Sequence, residues 1–259
     1  MDISAKVQKA QKKPDFRGFS ASVTDVMGLP LFFRRRAECM RLLSRMTESE
    51  GRSPLLVFTP GIEMLLASRK NPDLHRLLSS ADLLLPDGIG ARILSRFRVK
   101  ERIPGIEMGE FLLSLAAARS LRVFLLGGRR GVAVRAAKRL TERYKGLLVV
   151  GTHHGYFTAD SEEERRVSEL IHSTAPDILI VCMGFPRQED FLVRHKASLP
   201  SVRIGIALGG SLDVWSGDLR RAPRFFRTCG LEWLWRIAHE PHRIPRLIKN
   251  LLPFPRGKD

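Results

Sequence analysis

The sequence predicts an α/β fold: a mostly parallel sheet with helices on both faces, followed by a basic, aromatic, helical C-terminal appendage. Three observations predict it. Continuous apolar runs recur along the chain, as strands buried on both faces require, in place of the alternation of a half-wet sheet. Helical stretches separate the runs. Glycine or proline follows almost every run, where a chain must turn from strand to helix.

In chain order, residues 1–20 read as a flexible basic arm, too polar for a signal peptide. The run LLVFTP (55–60) is a strand, and a helical stretch, 62–81, follows it. DLLLP (82–86) is the next strand, then GEFLLSLAAARS (109–120) is a helix. RVFLLGG (122–128), GVAVRAAKRLTERY (131–144) and GLLVVGTHHGYF (146–157) read as strand, helix and strand. SEEERRVSELIHS (161–173) is a helix with acids in its first turn, where the dipole favours them. The strand DILIVCMG (177–184), the helix RQEDFLVRHKASL (187–199) and the strand RIGIALGG (203–210) complete a domain set at 21–215. This alternation is Rossmann-like. The appendage, 216–259, differs in character. From Arg220 to Asp259 it holds ten Lys/Arg against three Asp/Glu, with Phe225, Phe226, Trp233, Trp235 and Phe254 among them.

Bulk properties narrow the function. With 259 residues, 44% of them hydrophobic, the chain can bury a substantial core. A formal charge of +17 attracts polyanions, whether nucleic acid, anionic lipid or phosphorylated small molecules. Cys39, Cys182 and Cys229 form no disulfide framework, which points to a reducing cytoplasm. No apolar run reaches the ~18 residues of a spanning helix, so contact with a membrane would be peripheral.

Ligands of parallel α/β sheets bind outside the carboxyl ends of the strands. Here those ends carry Thr59, Asp87, GGRRG (127–131), GTHHGYF (151–157), GFPRQE (184–189) and GGSLD (209–213). Gly127 and Gly128, with Gly131, either admit a phosphate to backbone N–H groups or simply make a tight strand–helix turn. GxGxxG is absent, and the strand ending VVGTHHG has no ribose acid, which disfavours a nucleotide-dependent oxidoreductase. A basic RNA-binding protein is the other alternative, and RNP-like aromatics are missing. His153 and His154 lack a further ligand at zinc spacing and read as loop histidines. Asp87, between Pro86 and Gly88, is either the N-cap of a following helix or a rigidly presented carboxylate.

The segments TPGIEMLLASRKNPDL, ADLLLPDGIG, RIPGIEM, VFLLGGRRGVA, GTHHGYF, GFPRQE and RAPRFFRTCGLEWLWRIAHEPHRI, in that order, resemble the WecG/TagA/CpsF family of bacterial glycosyltransferases over about residues 25–250. The resemblance implies an inverting transfer of N-acetylmannosamine, its uronic acid or a related hexose, from a UDP-sugar to a polyprenyl-diphosphate-linked saccharide. It implies no cofactor and no metal held by an Asp-x-Asp pair, a motif this sequence lacks. Asp87 matches the position of the catalytic base, and Thr59, Arg102 and Gln188 match positions around the sugar nucleotide. Arg236, Arg243 and Arg246 match basic residues of an appendage that meets the anionic membrane surface and closes over the diphosphate. The implied setting is the inner face of the cell membrane, for surface-polysaccharide synthesis, with nucleic acid not a partner and a homo-oligomer left open. Gly61 stands where the family usually has Asn, which leaves the donor sugar open, and Phe191 stands where Trp is common.

Overall fold

A computed structural model describes residues 23–32, 34–48, 53–223, 225, 226 and 235. β1 (Val23–Val26) and β2 (Leu29–Phe32) form an antiparallel hairpin. Its two-residue turn, Met27 and Gly28, has positive φ at both positions, matching the twist of the paired strands. α1 (Arg36–Met46), β3 (Leu55–Phe58), α2 (Ile62–Lys70), α3 (Pro72–Ser79), β4 (Leu83–Leu84), α4 (Gly88–Leu94) and α5 (Gly105–Arg119) follow. Then come β5 (Arg122–Gly127), α6 (Val132–Arg143), β6 (Leu148–His153), α7 (Glu162–Thr174), β7 (Ile178–Cys182), α8 (Arg187–His195), β8 (Ile204–Ala207) and α9 (Ser211–Ser216).

The eight strands form one sheet in the order β1-β2-β4-β3-β8-β7-β5-β6, parallel at every pairing except β1 with β2. Alternate residues of each buried strand supply opposite faces. Leu55, Val57, Val123, Leu125, Ile178, Ile180, Ile204 and Ile206 meet side chains of α1, α5, α6 and α9. Leu56, Phe58, Phe124, Leu126, Leu179 and Val181 meet those of α2, α3, α4, α7 and α8. The expected α/β architecture is therefore present, with the sheet as the middle of three layers.

Three details differ from the sequence expectation. The single helix over 62–81 is two, divided at Asn71 and Pro72. A residue before proline is pushed out of the α region, and the Asn71 side chain then accepts from the N–H groups of Asp73 and Leu74. The strand over 146–157 stops at His153, and the hairpin of β1 and β2 was not anticipated. Beyond α9 the chain remains on the core: Asp218 pairs with Arg135, and Arg221 reaches Glu107 and Glu110 of α5. Among the described residues no helix is long and apolar enough to cross a membrane.

Candidate active site

The sheet reverses its winding between β3 and β8, where successive strands lie on opposite sides, and again between β5 and β7. Crevices open at the carboxyl ends of strands at such points. Thr59 lies directly beyond β3, nearly buried, and its hydroxyl donates to the carbonyl of Ala207 at the end of β8 (3.1 Å). Asp87 lies three residues beyond β4, half-buried. Its N–H donates to Pro60 O (3.3 Å), so its backbone is tied to the segment that carries Thr59. The chain then makes an excursion through α4 and returns, where Ile103 N–H donates to Pro86 O (2.8 Å). Arg102, the residue before that bond, is half-buried. Thr59, Asp87 and Arg102 are thus brought to one end of the β3–β4 pair by three backbone and side-chain ties.

Asp87 occupies the N-cap position of α4 in an extended conformation, yet its side chain makes no capping hydrogen bond. An N-cap aspartate ordinarily accepts from the N–H groups of the second or third helical residue. The capping role therefore does not account for the acid here. Gly61, N-cap of α2, is also at this end: a Cβ there would meet nothing nearer than Asp87 O at 3.9 Å.

Gln188 sits elsewhere on the rim. Its Oε1 accepts from Gly184 N–H (3.2 Å) and Gly209 N–H (2.9 Å), joining the loop after β7 to the loop after β8. Its Nε2 donates to Glu189 Oε1 (2.8 Å), and both side chains are buried. The amide shapes the rim by holding two loops together. Gly127 and Gly128 lie still further along, at the end of β5. A Cβ on Gly127 would fall 2.2 Å from Cys182 O, and one on Gly128 would fall 2.7 Å from Val132. Close packing of the turn thus accounts for both glycines. Gly88, Gly184 and Gly209 behave differently: each has positive φ, and a Cβ would meet nothing within 4 Å. They mark open space along the ends of β4, β7 and β8. Sequence reasoning noted the clusters around Gly184 and Gly209 without assigning either residue.

The loop after β6 gathers His153, His154 and Glu163, whose ligand atoms lie within 4.8 Å of one another. Glu163 is the partner that sequence spacing could not supply. His153 Nδ1 bonds His154 O (2.7 Å), and Tyr156 N–H donates to His154 Nδ1 (3.3 Å). That acceptor role leaves the proton of neutral His154 on Nε2, the atom facing Glu163 at 3.7 Å. Burial, His153 and Arg130 together lower the His154 pKa. The tautomer fits a hydrogen-bonded loop better than a cation ligand set. Burial pushes the Cys39 and Cys182 thiols up to about 12, which removes both as nucleophiles at neutral pH.

Behind α8, Glu164 is almost fully buried against Arg194, whose Nη2 lies 2.5 Å from Glu164 Oε1, with His195 at 3.4 Å. Burial alone would raise the Glu164 pKa, but hydrogen bonds from Arg194 and from Asp160 N–H, with the Arg194 charge, lower it. This group ties α7 to α8. Arg236, Arg243 and Arg246 lie outside the described residues, as do residues 1–20.

A comparison with protein-family models matches residues 24–256 to the family described as "Glycosyl transferase WecG/TagA/CpsF family". Two similar proteins carry the name N-acetylglucosaminyldiphosphoundecaprenol N-acetyl-beta-D-mannosaminyltransferase. The one from Bacillus spizizenii is 33% identical over 195 residues, 74% of either chain. The one from Bacillus subtilis is 32% identical over 196 residues, 74% of this chain and 75% of its own.

Proposed function

This chain belongs to the WecG/TagA/CpsF family of glycosyl transferases, and from that membership we propose that it transfers one sugar from a UDP-sugar to a polyprenyl-diphosphate-linked saccharide. The names of its relatives suggest N-acetylglucosaminyl-diphospho-undecaprenol as the acceptor. The observation that carries the mechanism is Asp87, a carboxylate set at a helix start without serving as its cap.

In this reading Asp87 takes the proton of an acceptor hydroxyl as that oxygen attacks the anomeric carbon from the face opposite the nucleotide. The bond from that carbon to the β-phosphate oxygen breaks with inversion, and UDP leaves with the electron pair. Proton transfer demands hydrogen-bond reach, so the acceptor hydroxyl lies against Asp87. Arg102, whose neighbour Ile103 bonds Pro86 O, is assigned in this reading to the growing negative charge. The appendage arginines, Arg236, Arg243 and Arg246, are assigned to the diphosphate and the anionic membrane surface by their sequence positions alone. The reaction as proposed uses no metal, and positive side chains and backbone N–H groups do the work of charge stabilisation.

Strand spacing supports one order for the donor within this reading. Asp87 follows β4 and Gly127 ends β5, four strand positions away in the sheet. At about 4.8 Å per strand that separation is roughly 19 Å. A diphosphate attached to the anomeric carbon cannot span it. The reading therefore puts the diphosphate over the ends of β3 and β8, near Thr59 and Gly209, and the uridine towards Gly184, Gly127 and Gly128. Gln188 contributes by holding the Gly184 and Gly209 loops in register.

The test is a donor screen. The purified chain is given a short-chain prenyl-diphosphate N-acetylglucosamine and a panel of UDP-sugars, and products are read by mass. Formation of a disaccharide-diphosphate lipid with one UDP-sugar supports the reading. Absence of transfer with every donor, together with NAD(H) or RNA binding, would overturn it.

A further inference from the structure

Two large apolar side chains at the end of α4 and just beyond it are exposed, Ile93 (53%) and Phe97 (61%), four residues apart in sequence. Isolated exposed hydrophobics are ordinary, whereas a contiguous set needs an explanation. Around this pair the surface is cationic. Residues 88–102 hold five cations, Arg92, Arg96, Arg98, Lys100 and Arg102, against the single acid Glu101. That acid is taken up by α1: Glu101 Oε2 accepts from Arg36 N–H at 2.9 Å.

The pair is presented by a fixed turn. Arg96 and Phe97 have φ of 50° and 61°, the two adjacent non-glycine residues in the left-handed region among the described residues. Side chains with a Cβ adopt that region at a cost, and such strain persists where surrounding structure enforces it. Enforcement is visible here. Phe97 N–H donates to Arg92 O (2.7 Å), Arg98 N–H to Ser95 O (3.1 Å), and Val99 N–H to the buried Ser95 hydroxyl (3.1 Å). Val99 is fully buried and anchors the far side. The chain holds a strained turn and displays a phenylalanine to solvent from it, with Arg92 Cζ 5.8 Å from the ring centroid.

The position matters as much as the composition. The excursion leaves the sheet at Asp87 and returns at Arg102, closed by the Ile103–Pro86 hydrogen bond. α4 spans seven residues, about 10 Å at 1.5 Å per residue, so the ridge stands one short helix away from the carboxylate.

We propose that the ridge of Ile93, Arg96, Phe97 and Arg98 docks on an anionic lipid bilayer and sets the Asp87 rim against its surface. The inference deepens the proposed function, because it names the surface that brings that rim to a lipid-borne acceptor. Aliphatic and aromatic groups flanked by arginines are the chemistry of a head-group boundary: the apolar groups enter the interface while the cations meet lipid phosphate. A second copy of this same chain would face the ridge with a cationic surface of its own, which charge disfavours.

The full chain is sedimented with vesicles of phosphatidylcholine alone and of phosphatidylcholine mixed with phosphatidylglycerol. The double variant Ile93→Ser/Phe97→Ser is expected to lower partition onto mixed vesicles about tenfold or more, by loss of apolar area. Arg96→Gln/Arg98→Gln is expected to lower it by roughly 25-fold on mixed vesicles alone, at about fivefold per cation. Phe97→Gly separates docking from folding, since it relieves the backbone: its Tm should be no lower than the parent's while vesicle binding falls. Transfer to a water-soluble short-chain acceptor should stay within about twofold in the serine double variant, because uniform loss of surface binding leaves the chemical step alone. Unchanged vesicle partition in both double variants overturns the proposal. So does a loss of binding that coincides with a change of oligomeric mass, which would make the ridge a contact between copies. A parent chain that binds vesicles through the ridge yet transfers no sugar to either acceptor upholds the docking and removes the enzymatic reading.

Discussion

Replacing Asp87 with Asn separates chemistry from architecture at the candidate base. Asn and Asp are about equally good at a helix N-cap, and the Asp87 side chain makes no capping bond to α4. The substitution preserves shape, and the backbone ties through Asp87 N–H and Pro86 O do not involve the carboxylate. Asn keeps the volume and hydrogen-bonding capacity of the side chain, so the folded state should be retained. Loss of a positioned general base costs about 10²–10⁴ in rate. At 1.36 kcal/mol per decade, that is about 2.7–5.4 kcal/mol of barrier. The assay is UDP release under saturating donor and acceptor, with UDP affinity by calorimetry and Tm by thermal scan on the same preparation. Expected are a kcat lower by at least about a hundredfold, with donor affinity and Tm unchanged. A kcat within about tenfold of the parent would refute the base assignment, since a water-borne proton path does not replace a positioned base so well. A Tm drop of several degrees would show that the carboxylate is structural instead.

Three other perturbations test neighbouring steps. Gly61→Asn puts its Cβ in ordinary contact with Asp87 O (3.9 Å) and gives α2 an N-cap side chain, so Tm should hold or rise slightly, and kcat/KM should move towards N-acetylated donors in the donor screen. Gln188→Leu strands the N–H groups of Gly184 and Gly209, at about 1–3 kcal/mol each; a Tm several degrees lower and a raised donor KM are expected, and an unchanged Tm would deny the bracing role. Acid stability should fall in two stages. Burial lowers the His195 pKa in the folded state below its ordinary 6.5, with Arg194 adding to the effect and Glu164 opposing it, so the unfolded chain takes the proton first and stability declines as pH drops below that value. Glu164 is lowered below its ordinary 4.5, so its stabilisation is complete above that value and is lost as pH falls through the folded pKa. His195→Asn should flatten the first stage in a Tm-versus-pH series and keep most of the second, to which Arg194 contributes more than His195.

The buried sheet was legible in the sequence because strands covered on both faces need no alternation, and runs such as LLVF and ILIV have few other uses. The hairpin was not, because VTDV mixes polar with apolar residues, LPLF is interrupted by a proline, both are short, and their turn is Met27–Gly28 in place of an Asn-Gly or Asp-Gly pair. The split at Asn71 was carried by the Asn-Pro dipeptide, although helical periodicity on either side masked it. At the site, Thr59 and Asp87 were visible as polar residues ending apolar runs. The role of Gln188 was not, since one of its partners is Gly209, 21 residues away, and only the adjacency of β7 and β8 brings it near. The third member of the His153–His154 group was hidden for the same reason: Glu163 is returned by the loop into α7.

The proposed placement of donor and base also constrains the acceptor's approach. A UDP-sugar laid across the ends of β7, β8 and β3 occupies the rim along its length, and Asp87, beyond β4, stands at one terminus of that line. Inverting attack requires the acceptor oxygen opposite the leaving diphosphate. The acceptor must then arrive from beyond β4, where the chain makes the excursion of residues 88–102. β2 and the hairpin complete the sheet on that same side of β4. An acceptor on a lipid anchor and a ridge built to lie on lipid therefore share one side of the base. The direction of chemical attack and the direction of membrane approach become one geometric requirement.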